Sequence, residues 1–323
     1  MGDPAGIGPE LTMLAWKAHR DRKAPRFFVI GDPAIYANLG AATAEIATPE
    51  QASATGEALP ILPLKLQETA KLGAPSAANA GAIIQSIERA VEFALAGRVP
   101  AIVTNPIAKA VLYDAGFRHQ GHTDFLGALT SSAPYSGPRG PVMMLTAGDL
   151  RVALATEHIP HHKVAENLNS ETIVRVARVV ADSLAKDYGI AAPRLVVAAL
   201  NPHAGESGNI GDEESRVIAP AVRTLADSGI SVFGPLPADT LFHAEARARA
   251  DAVICMYHDQ ALIPVKMLDF WGGVNVTLGL PIVRTSPDHG TGFDIAGKGV
   301  AKPDSLIAAL KTADAIAGRR NAP

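Results

Sequence analysis

Three apolar segments of this chain are each followed within three residues by a histidine, and this pattern restricts the fold more than any other feature of the sequence. The histidines that follow these segments are His158, His203 and His258. Short apolar runs that alternate with helical patterns are typical of strands in a parallel sheet. Ligands bind outside the carboxyl ends of such strands, so the three side chains can meet although they lie far apart in the sequence.

The segments between the apolar runs indicate helices. In residues 76–97, apolar side chains recur at helical spacing between an initial serine and a final glycine, and residues 163–187 also form an amphipathic helical pattern. Residues 141–157 differ, because two apolar runs meet at 147–149 and predict a hairpin. We therefore expect an α/β protein in which helices cover both faces of the sheet, an α/β/α arrangement.

A chain of 323 residues is longer than a single hydrophobic core usually supports. We therefore expect two domains. The first combines residues 1–121 with residues 264–323, and the second consists of residues 122–263. The active site is expected in the cleft between them.

The composition excludes several classes of partner. Charged residues make up 19% of the chain and the net charge is −3, so no basic surface for nucleic acid or an anionic membrane is expected. No apolar run approaches the ~18 residues of a membrane-spanning helix. The single cysteine, Cys255, cannot form an internal disulfide, which fits a reducing compartment and excludes a cysteine-based zinc site. We expect a cytoplasmic protein that acts on a small metabolite.

The three histidines predict a metal site. Three neutral imidazoles can bind a divalent metal and leave one coordination position for a substrate oxygen. Zinc is the expected ion, with magnesium or cobalt as alternatives. A hydrogen-bonded structural role at a strand end is the competing interpretation for each histidine alone. Their shared position after a strand, and the polar segments NPHAGE and YHDQ, favour the metal.

Isolated polar residues in the apolar C-terminal region indicate a pocket for an anion. Lys266 supplies a point charge, Asn275 a directional donor and acceptor, and Arg284 a bidentate clamp for carboxylate or phosphate. Surface ion pairing is the alternative for Lys266. His122 and Thr123 begin a further predicted helix, where capping by Thr123 is the alternative to a ligand contact.

A series of motifs runs along nearly the whole chain. In order, they are GDPAGIGPE, TNPIAKA, GHTDF, NPHAGE, GPLPADTLF, MYHDQALIPVK, GVNVTLGLP and RTSPDHGTGFDIAGKG. Together they resemble the 4-hydroxythreonine-4-phosphate dehydrogenase family of vitamin B6 synthesis. The resemblance implies a divalent-metal-dependent, NAD(P)-dependent dehydrogenase with a fold similar to isocitrate and isopropylmalate dehydrogenases. It assigns metal binding to the three histidines, and it assigns substrate contacts to His122, Thr123, Lys266, Asn275 and Arg284.

The resemblance also implies a homodimer with a shared active site, so that some ligands would come from the partner chain. The segment DHGTGFDIAGKG resembles the loop that holds the adenosine part of the cofactor in isopropylmalate dehydrogenases. This implies contacts with NAD or NADP for His289, Gly290, Thr291 and Asp294, with a plain structural turn as the alternative. The family has a strand before GDPAGIGPE, so we expect either an upstream start or a sheet that lacks one edge.

In the implied reaction, the secondary hydroxyl of 4-hydroxythreonine 4-phosphate is oxidised to a 3-oxo acid, which then decarboxylates. Asp239, Asp259 and Lys266 are the candidates for proton transfer. Within the dehydrogenases, a phosphorylated four-carbon sugar acid or an aromatic cis-dihydrodiol carboxylate is an alternative substrate. A three-histidine metal-dependent hydrolase and a non-catalytic phosphometabolite-binding protein are the alternatives from other classes.

Overall fold

A computed structural model describes residues 1–119 and 121–321, along which helices and strands alternate. In chain order they are α1 (Gly8–Arg20), β1 (Val29–Gly31), α2 (Pro33–Asn38), β2 (Thr43–Glu45), β3 (Leu59–Pro63), α3 (Ala80–Leu95), β4 (Ile102–Val103), α4 (Lys109–Asp114), α5 (His122–Leu129), β5 (Val142–Ala147), β6 (Leu150–Leu154), α6 (Val164–Asn167), α7 (Ser170–Tyr188), β7 (Leu195–Ala198), α8 (Ala219–Asp227), β8 (Val232–Leu236), α9 (Ala244–Arg247), β9 (Ala252–Cys255), α10 (His258–Leu268), β10 (Val274–Leu278), β11 (Arg284–Pro287) and α11 (Asp304–Arg320). Residues 120, 322 and 323, which the predicted domains include, lie outside the described residues. No helix within the described ranges has both the length and the apolar composition that a bilayer crossing requires.

The described chain forms two compact units. Unit 1 comprises Met1–Ala133 and Pro281–Ala317, and unit 2 comprises Pro134–Leu280 with the residues from Gly318 onward. The sequence placed the changes of domain at 121/122 and 263/264 instead. The rings of Phe117 and Phe125 pack edge to face with centroids 5.1 Å apart, which keeps α5 in unit 1. The pairing of β10 with β5 keeps the chain after residue 263 in unit 2.

Unit 1 contains a parallel sheet in the order β1-β3-β2, and β4 pairs in parallel with β11. β2 and β3 lie in the region 41–75, which is rich in alanine and proline. One face of α1 is buried in the core of this unit, and the first turn of α1 contains Pro9 and Glu10, which both favour a helix N-terminus. Ile83, Ile87 and Val91 of α3 are buried at the predicted helical spacing.

Unit 2 contains strands in the order β10-β5-β6-β9-β7-β8. β5 and β6 form the predicted antiparallel hairpin, whereas β6, β9, β7 and β8 run parallel to one another. Apolar side chains from β5, β6, β7 and β9 pack with α10 in one buried cluster. The α/β prediction is confirmed, since parallel strands and helices alternate in both units.

The helix predicted over residues 163–187 is divided in the structure. Oδ1 of Asn169 accepts a hydrogen bond from the backbone N–H of Thr172 at 2.8 Å, so Asn169 caps a new helix, α7. Gly189 ends this helix with a left-handed φ of 70°. The motif GPLPADTLF begins within a strand, because Pro235 lies in β8 at the edge of the sheet, where a proline is tolerated.

Candidate functional site

The predicted metal ligands follow three neighbouring strands of unit 2. β6, β9 and β7 run parallel in this order, and His158, His258 and His203 come after their carboxyl ends. The imidazole rings of His158 and His258 lie with their centroids 5.6 Å apart. The parallel arrangement therefore makes neighbours of two predicted ligands that are far apart in the sequence.

A carboxylate orients the ring of His258, the first residue of α10. Nδ1 of His258 and Oδ1 of Asp259 are 2.7 Å apart. Because a carboxylate only accepts hydrogen bonds, Nδ1 carries the hydrogen, and in the neutral ring this leaves the lone pair on Nε2. Metal-binding histidines are commonly held in this way. Asp259 is thus suited to orienting a metal ligand, besides the proton transfer predicted for it.

His158 and His203 both have a left-handed backbone conformation, with φ of 47° and 53°. His203 begins a run of five such residues, 203–207. Residues other than glycine rarely adopt this conformation, and strained backbone is concentrated at functional sites. The conformation favours a ligand role for both histidines over a purely structural one.

The histidines of one chain do not complete a metal site. Within the part of the chain that the structure describes, no three His, Cys, Asp or Glu side chains are arranged to hold a metal ion. His203 is exposed and does not join His158 and His258. The donors present do suit a divalent metal, since two adjacent imidazoles, one held by a carboxylate, have the chemistry of zinc ligands. A single chain therefore brings two of the predicted ligands side by side and leaves the third apart.

Two further predicted residues lie in unit 2, Lys266 on α10 and Asn275 on β10. The ammonium group of Lys266 is 5.3 Å from the ring centroid of Phe270. Nδ2 of Asn275 lies 3.2 Å from Sδ of Met143, and its buried Oδ1 has no hydrogen-bond partner among the described residues. A buried amide oxygen is unfavourable unless something donates to it. Asn275 is therefore suited to accepting a hydrogen bond from a ligand.

The two acidic candidates for proton transfer, Asp239 and Asp259, are both exposed. Asp239 lies in the short 3-10 turn Ala238–Thr240 that follows β8. β8 runs parallel to β7, so Asp239 follows a strand at the same edge of the sheet as His203 does. Of the two carboxylates, Asp259 is the one bonded to a predicted metal ligand.

The remaining predicted substrate contacts, His122, Thr123 and Arg284, lie in unit 1. Arg284 is 3% exposed, and its Nη2 and Nε lie 2.6 and 3.2 Å from Oγ1 of Thr104. Burial lowers the pKa of the Arg284 guanidinium to about 9. A buried guanidinium is a strong binding group for a carboxylate or a phosphate.

His122 is a neutral imidazole at the start of α5. Its pKa lies well below the usual value, chiefly because of burial, and then because of the positive charges of Arg284, the amino terminus and Lys109. Its buried Nε2 has no hydrogen-bond partner in the described chain. Gly121 occupies the N-cap and no side chain caps α5, so the alternative in which Thr123 caps this helix is wrong. His122 and Thr123 instead lie in the first turn, where backbone N–H groups favour an anion.

Two residues near Arg284 and His122 were not singled out from the sequence. Thr104 holds the guanidinium of Arg284, and Lys109 begins α4. A Cβ placed on Gly121 would lie 3.1 Å from Cε of Lys109, so this lysine packs against the start of α5. Both residues belong to the motif TNPIAKA after β4, the same kind of strand-end position that identified the histidines.

The segment predicted to contact the cofactor is bonded to the N-terminal glycine-rich turn within unit 1. The backbone N–H of Ile7 donates to the carbonyl of Thr291 at 2.8 Å. The Glu10 carboxylate accepts from the backbone N–H groups of Gly297 at 2.8 Å and Gly299 at 3.2 Å. The two glycine-rich segments therefore form one connected surface, and Glu10 is a connecting residue that the sequence did not identify as such.

The four predicted cofactor contacts lie along this segment. Nδ1 of His289 lies 2.8 Å from the carbonyl oxygen of Gly290. A Cβ on Gly290 would meet no atom within 4 Å, and the side chain of Asp294 is exposed. Thr291 is partly buried through its contact with the N-terminal turn. The backbone at Gly290 is open to the close approach of a flat ligand.

A family model and curated relatives both match this chain, and they indicate the same family. Residues 23–313, which include every predicted site residue, match the model of the family described as pyridoxal phosphate biosynthetic protein PdxA. A relative from Caulobacter vibrioides, named 4-hydroxythreonine-4-phosphate dehydrogenase, is 56% identical over 322 residues, which cover 99% of this chain and 96% of the relative.

Solved structures are similar as well. A crystal structure of 4-hydroxythreonine-4-phosphate dehydrogenase from Klebsiella pneumoniae superposes with a TM-score of 0.86 at 38% identity, covering 98% of both chains. A terephthalate 1,2-cis-dihydrodiol dehydrogenase from Burkholderia xenovorans has a TM-score of 0.62 at 26% identity, covering 98% of this chain and 96% of that one. The same fold thus serves dehydrogenases named for two different substrates.

Proposed function

The chain belongs to the family of the pyridoxal phosphate biosynthetic protein PdxA, and we propose that it oxidises the secondary hydroxyl of 4-hydroxythreonine 4-phosphate with NAD or NADP. It is a dehydrogenase, as the resemblance predicted. The oxidation yields a 3-oxo acid, which releases its carboxylate as carbon dioxide. The observation that carries this proposal is the identity, along nearly the whole chain, with a relative named for this activity.

His158, His203 and His258 would hold a divalent metal, zinc in the first place and magnesium or cobalt as alternatives. When bound, the metal would polarise the substrate hydroxyl and lower its pKa. The adjacent rings of His158 and His258, and the bond from His258 to Asp259, support this assignment. The third ligand, His203, would come from a second copy of the chain.

The anionic ends of the substrate would be bound by cationic and amide side chains. Arg284 would bind one phosphate or carboxylate, and Thr104 fixes the direction of its guanidinium. His122 can donate a hydrogen bond without adding a charge, because its imidazole is neutral. Lys266 and Asn275 are the contacts proposed from unit 2. Thr123 is proposed as a further contact from the first turn of α5.

The hydroxyl proton would pass to one of the three predicted acceptors. One oxygen of Asp259 is engaged by Nδ1 of His258. We therefore expect Asp259 mainly to orient that ligand, and Lys266 or Asp239 to accept the proton. Hydride would pass from the carbon that bears this hydroxyl to the nicotinamide of the cofactor.

The nucleotide cofactor would lie along residues 289–294. The open backbone at Gly290 allows a flat base to approach, and His289, Thr291 and Asp294 provide polar groups beside it. Comparing the rates of NAD and NADP reduction identifies which of the two cofactors the protein uses.

We further propose a homodimer with a shared active site and a cytoplasmic location. An apolar surface on unit 2 supports the dimer, since Ile263 is 67%, Met267 86% and Phe270 58% exposed. A reducing compartment suits a chain whose single cysteine, Cys255, is buried and unpaired.

Oxidation of an aromatic cis-dihydrodiol carboxylate is a second candidate function, favoured by the likeness to the Burkholderia xenovorans dehydrogenase. The metal and the anion-binding residues would serve both substrates, so geometry alone does not separate them.

The decisive experiment measures reduction of NAD and of NADP by the zinc-loaded protein with a panel of substrates. The panel contains 4-hydroxythreonine 4-phosphate, erythronate and threonate phosphates, and a cis-dihydrodiol carboxylate. We expect the first compound to have the highest kcat/KM, and His258→Ala to lose both bound zinc and turnover. Turnover without nicotinamide would favour a hydrolase, and binding of phosphorylated ligands without any turnover would favour a binding protein.

A further inference from the structure

The loop that carries His203 has an unusual backbone. From His203 to Ser207, five consecutive residues have φ between 43° and 77°, and Gly205 is the one glycine in this run. Each non-glycine residue in this conformation costs about 1 kcal/mol or more. Such a run persists only where surrounding groups hold it in place.

The carboxylate of Glu214 binds the start of this loop. Glu214 is 6% exposed, and its Oε1 accepts hydrogen bonds from the backbone N–H groups of Leu200 and Asn201, both at 2.8 Å. Its Oε2 accepts from Nδ2 of Asn201 at 3.0 Å. Both carboxylate oxygens are therefore engaged at the point where the chain leaves β7 and approaches His203.

Two glycines allow the loop to lie directly on Glu214 and Asn201. A Cβ on Gly205 would lie 2.5 Å from Oε2 of Glu214, and a Cβ on Gly211 would lie 2.4 Å from Nδ2 of Asn201. No side chain fits at such distances without displacing its neighbour. Glu214 also begins the π-helical turn Glu214–Ile218, a feature often found at functional sites.

We propose that Glu214 is a positioning residue for His203, because its carboxylate holds the loop in the left-handed conformation that presents this imidazole to the metal. The inference rests on the metal-binding role proposed for His203. A carboxylate suits this position because it accepts three N–H donors and contributes no donor of its own. Glu214 therefore acts on the metal through the backbone of the His203 loop.

Glu214→Gln tests the role with little change of shape. The glutamine retains one acceptor oxygen for the two backbone N–H groups. Its amide N–H₂ group takes the place of Oε2, so that two donors, this group and Nδ2 of Asn201, face each other. We expect the affinity of the full-length protein for zinc, measured by competition with a chromophoric chelator, to fall about tenfold. Asp212→Asn is the matched control, because Asp212 is an exposed carboxylate that pairs with Arg216. It should bind zinc with wild-type affinity.

His203→Ala separates this inference from the proposed function. Wild-type zinc affinity in His203→Ala would overturn the metal role of His203 and everything that rests on it. A loss of affinity in His203→Ala without any loss in Glu214→Gln would overturn the positioning role alone.

A double variant tests whether Glu214 acts through His203. Adding Glu214→Gln to His203→Ala should cause no further loss of zinc affinity. A further loss would mean a general structural effect and would overturn the inference.

A milder substitution keeps the inference testable if Glu214→Gln does not fold. Asn201→Ala removes the Nδ2 donor to Oε2 of Glu214, which also donates to Oε2 of Glu213 at 2.7 Å, but leaves the two backbone hydrogen bonds to Oε1 of Glu214. We expect a smaller loss of zinc affinity in the same direction, with the same dependence on His203. Unchanged affinity in folded Asn201→Ala protein would overturn the role of the Glu214 and Asn201 pair.

Discussion

Nδ1 of His258 lies 2.7 Å from Oδ1 of Asp259, the next residue in the chain. Asp259→Asn replaces the carboxylate with a neutral amide, which holds the imidazole less firmly and makes Nε2 less basic. We expect the affinity for zinc to fall about tenfold. Equilibrium competition with a chelator measures this affinity. Glu245→Gln, which makes a similar change at an exposed residue, is the control. Equal zinc affinities in the two variants would contradict the orienting role of Asp259.

The hydroxyl of Thr104 is predicted to matter through Arg284. Thr104→Val keeps the shape of the side chain but removes the oxygen that lies 2.6 Å from Nη2 and 3.2 Å from Nε. A hydrogen bond to a charged group contributes about 1.5–3 kcal/mol, so we expect KM for the phosphorylated substrate to rise about tenfold or more with a smaller change in kcat. Thr104→Ser keeps the oxygen and should retain a KM near that of the wild type. A normal KM in Thr104→Val would refute the role.

The neutral state of His122 predicts how stability depends on pH. Folding lowers the pKa of His122, so below the unfolded value of about 6.5 the unfolded chain binds a proton that the native protein does not. The free energy of unfolding therefore declines as pH falls below about 6.5, by at most about 1.4 kcal/mol per pH unit from this residue.

His122→Gln should make this decline shallower, because glutamine does not titrate. Urea unfolding from about pH 7 to about pH 5 measures the slope. His162→Gln, a change at an exposed histidine, should keep the wild-type slope. Parallel curves for wild type and His122→Gln would show that His122 does not carry the effect.

A buried ion pair in unit 2 predicts a large effect on stability. Nε and Nη2 of Arg320 lie 2.7 and 2.9 Å from the two carboxylate oxygens of Asp187, whose side chain is 2% exposed. Asp187→Asn leaves the guanidinium without its counter-charge, and we expect a loss of about 3 kcal/mol in the free energy of unfolding. Asp212→Asn breaks an exposed pair with Arg216 and should cost no more than about 0.5 kcal/mol. Denaturant titration of both variants gives the comparison.

The exposed apolar surface of unit 2 predicts the oligomeric state. Met267→Glu combined with Phe270→Glu places charge where we propose that two copies meet, and desolvating these carboxylates would oppose association. We expect the molar mass from light scattering to fall from that of a dimer to that of a monomer. Leu95→Glu in unit 1 is the control and should remain dimeric. An unchanged mass in the double variant would place the interface elsewhere.

Part of the fold and of the candidate site was predictable because it depends on local patterns. Apolar runs with a histidine shortly after them identified β6, β7 and β9, and the apolar pattern broken at 147–149 identified the hairpin. Helical spacing identified α3, but it did not reveal the new helix start at Ser170, which Asn169 caps. The resemblance to a known family was confirmed, and the site residues that it implies stay predictions.

The sequence by itself determined the strands that precede the three histidines, the positions of the histidines after them and the family. Local patterns of side-chain type indicate these features. Side chains on one face of a strand recur every two residues, and those on one face of a helix recur every three to four residues, because the backbone geometry imposes these spacings. Only the tertiary structure decided the strand order that brings His158 beside His258. It also decided that the Glu214 carboxylate accepts hydrogen bonds from Leu200 and Asn201, where the chain approaches His203. Such contacts join residues distant in sequence, and they arise because buried donors and acceptors must find partners in the packed chain.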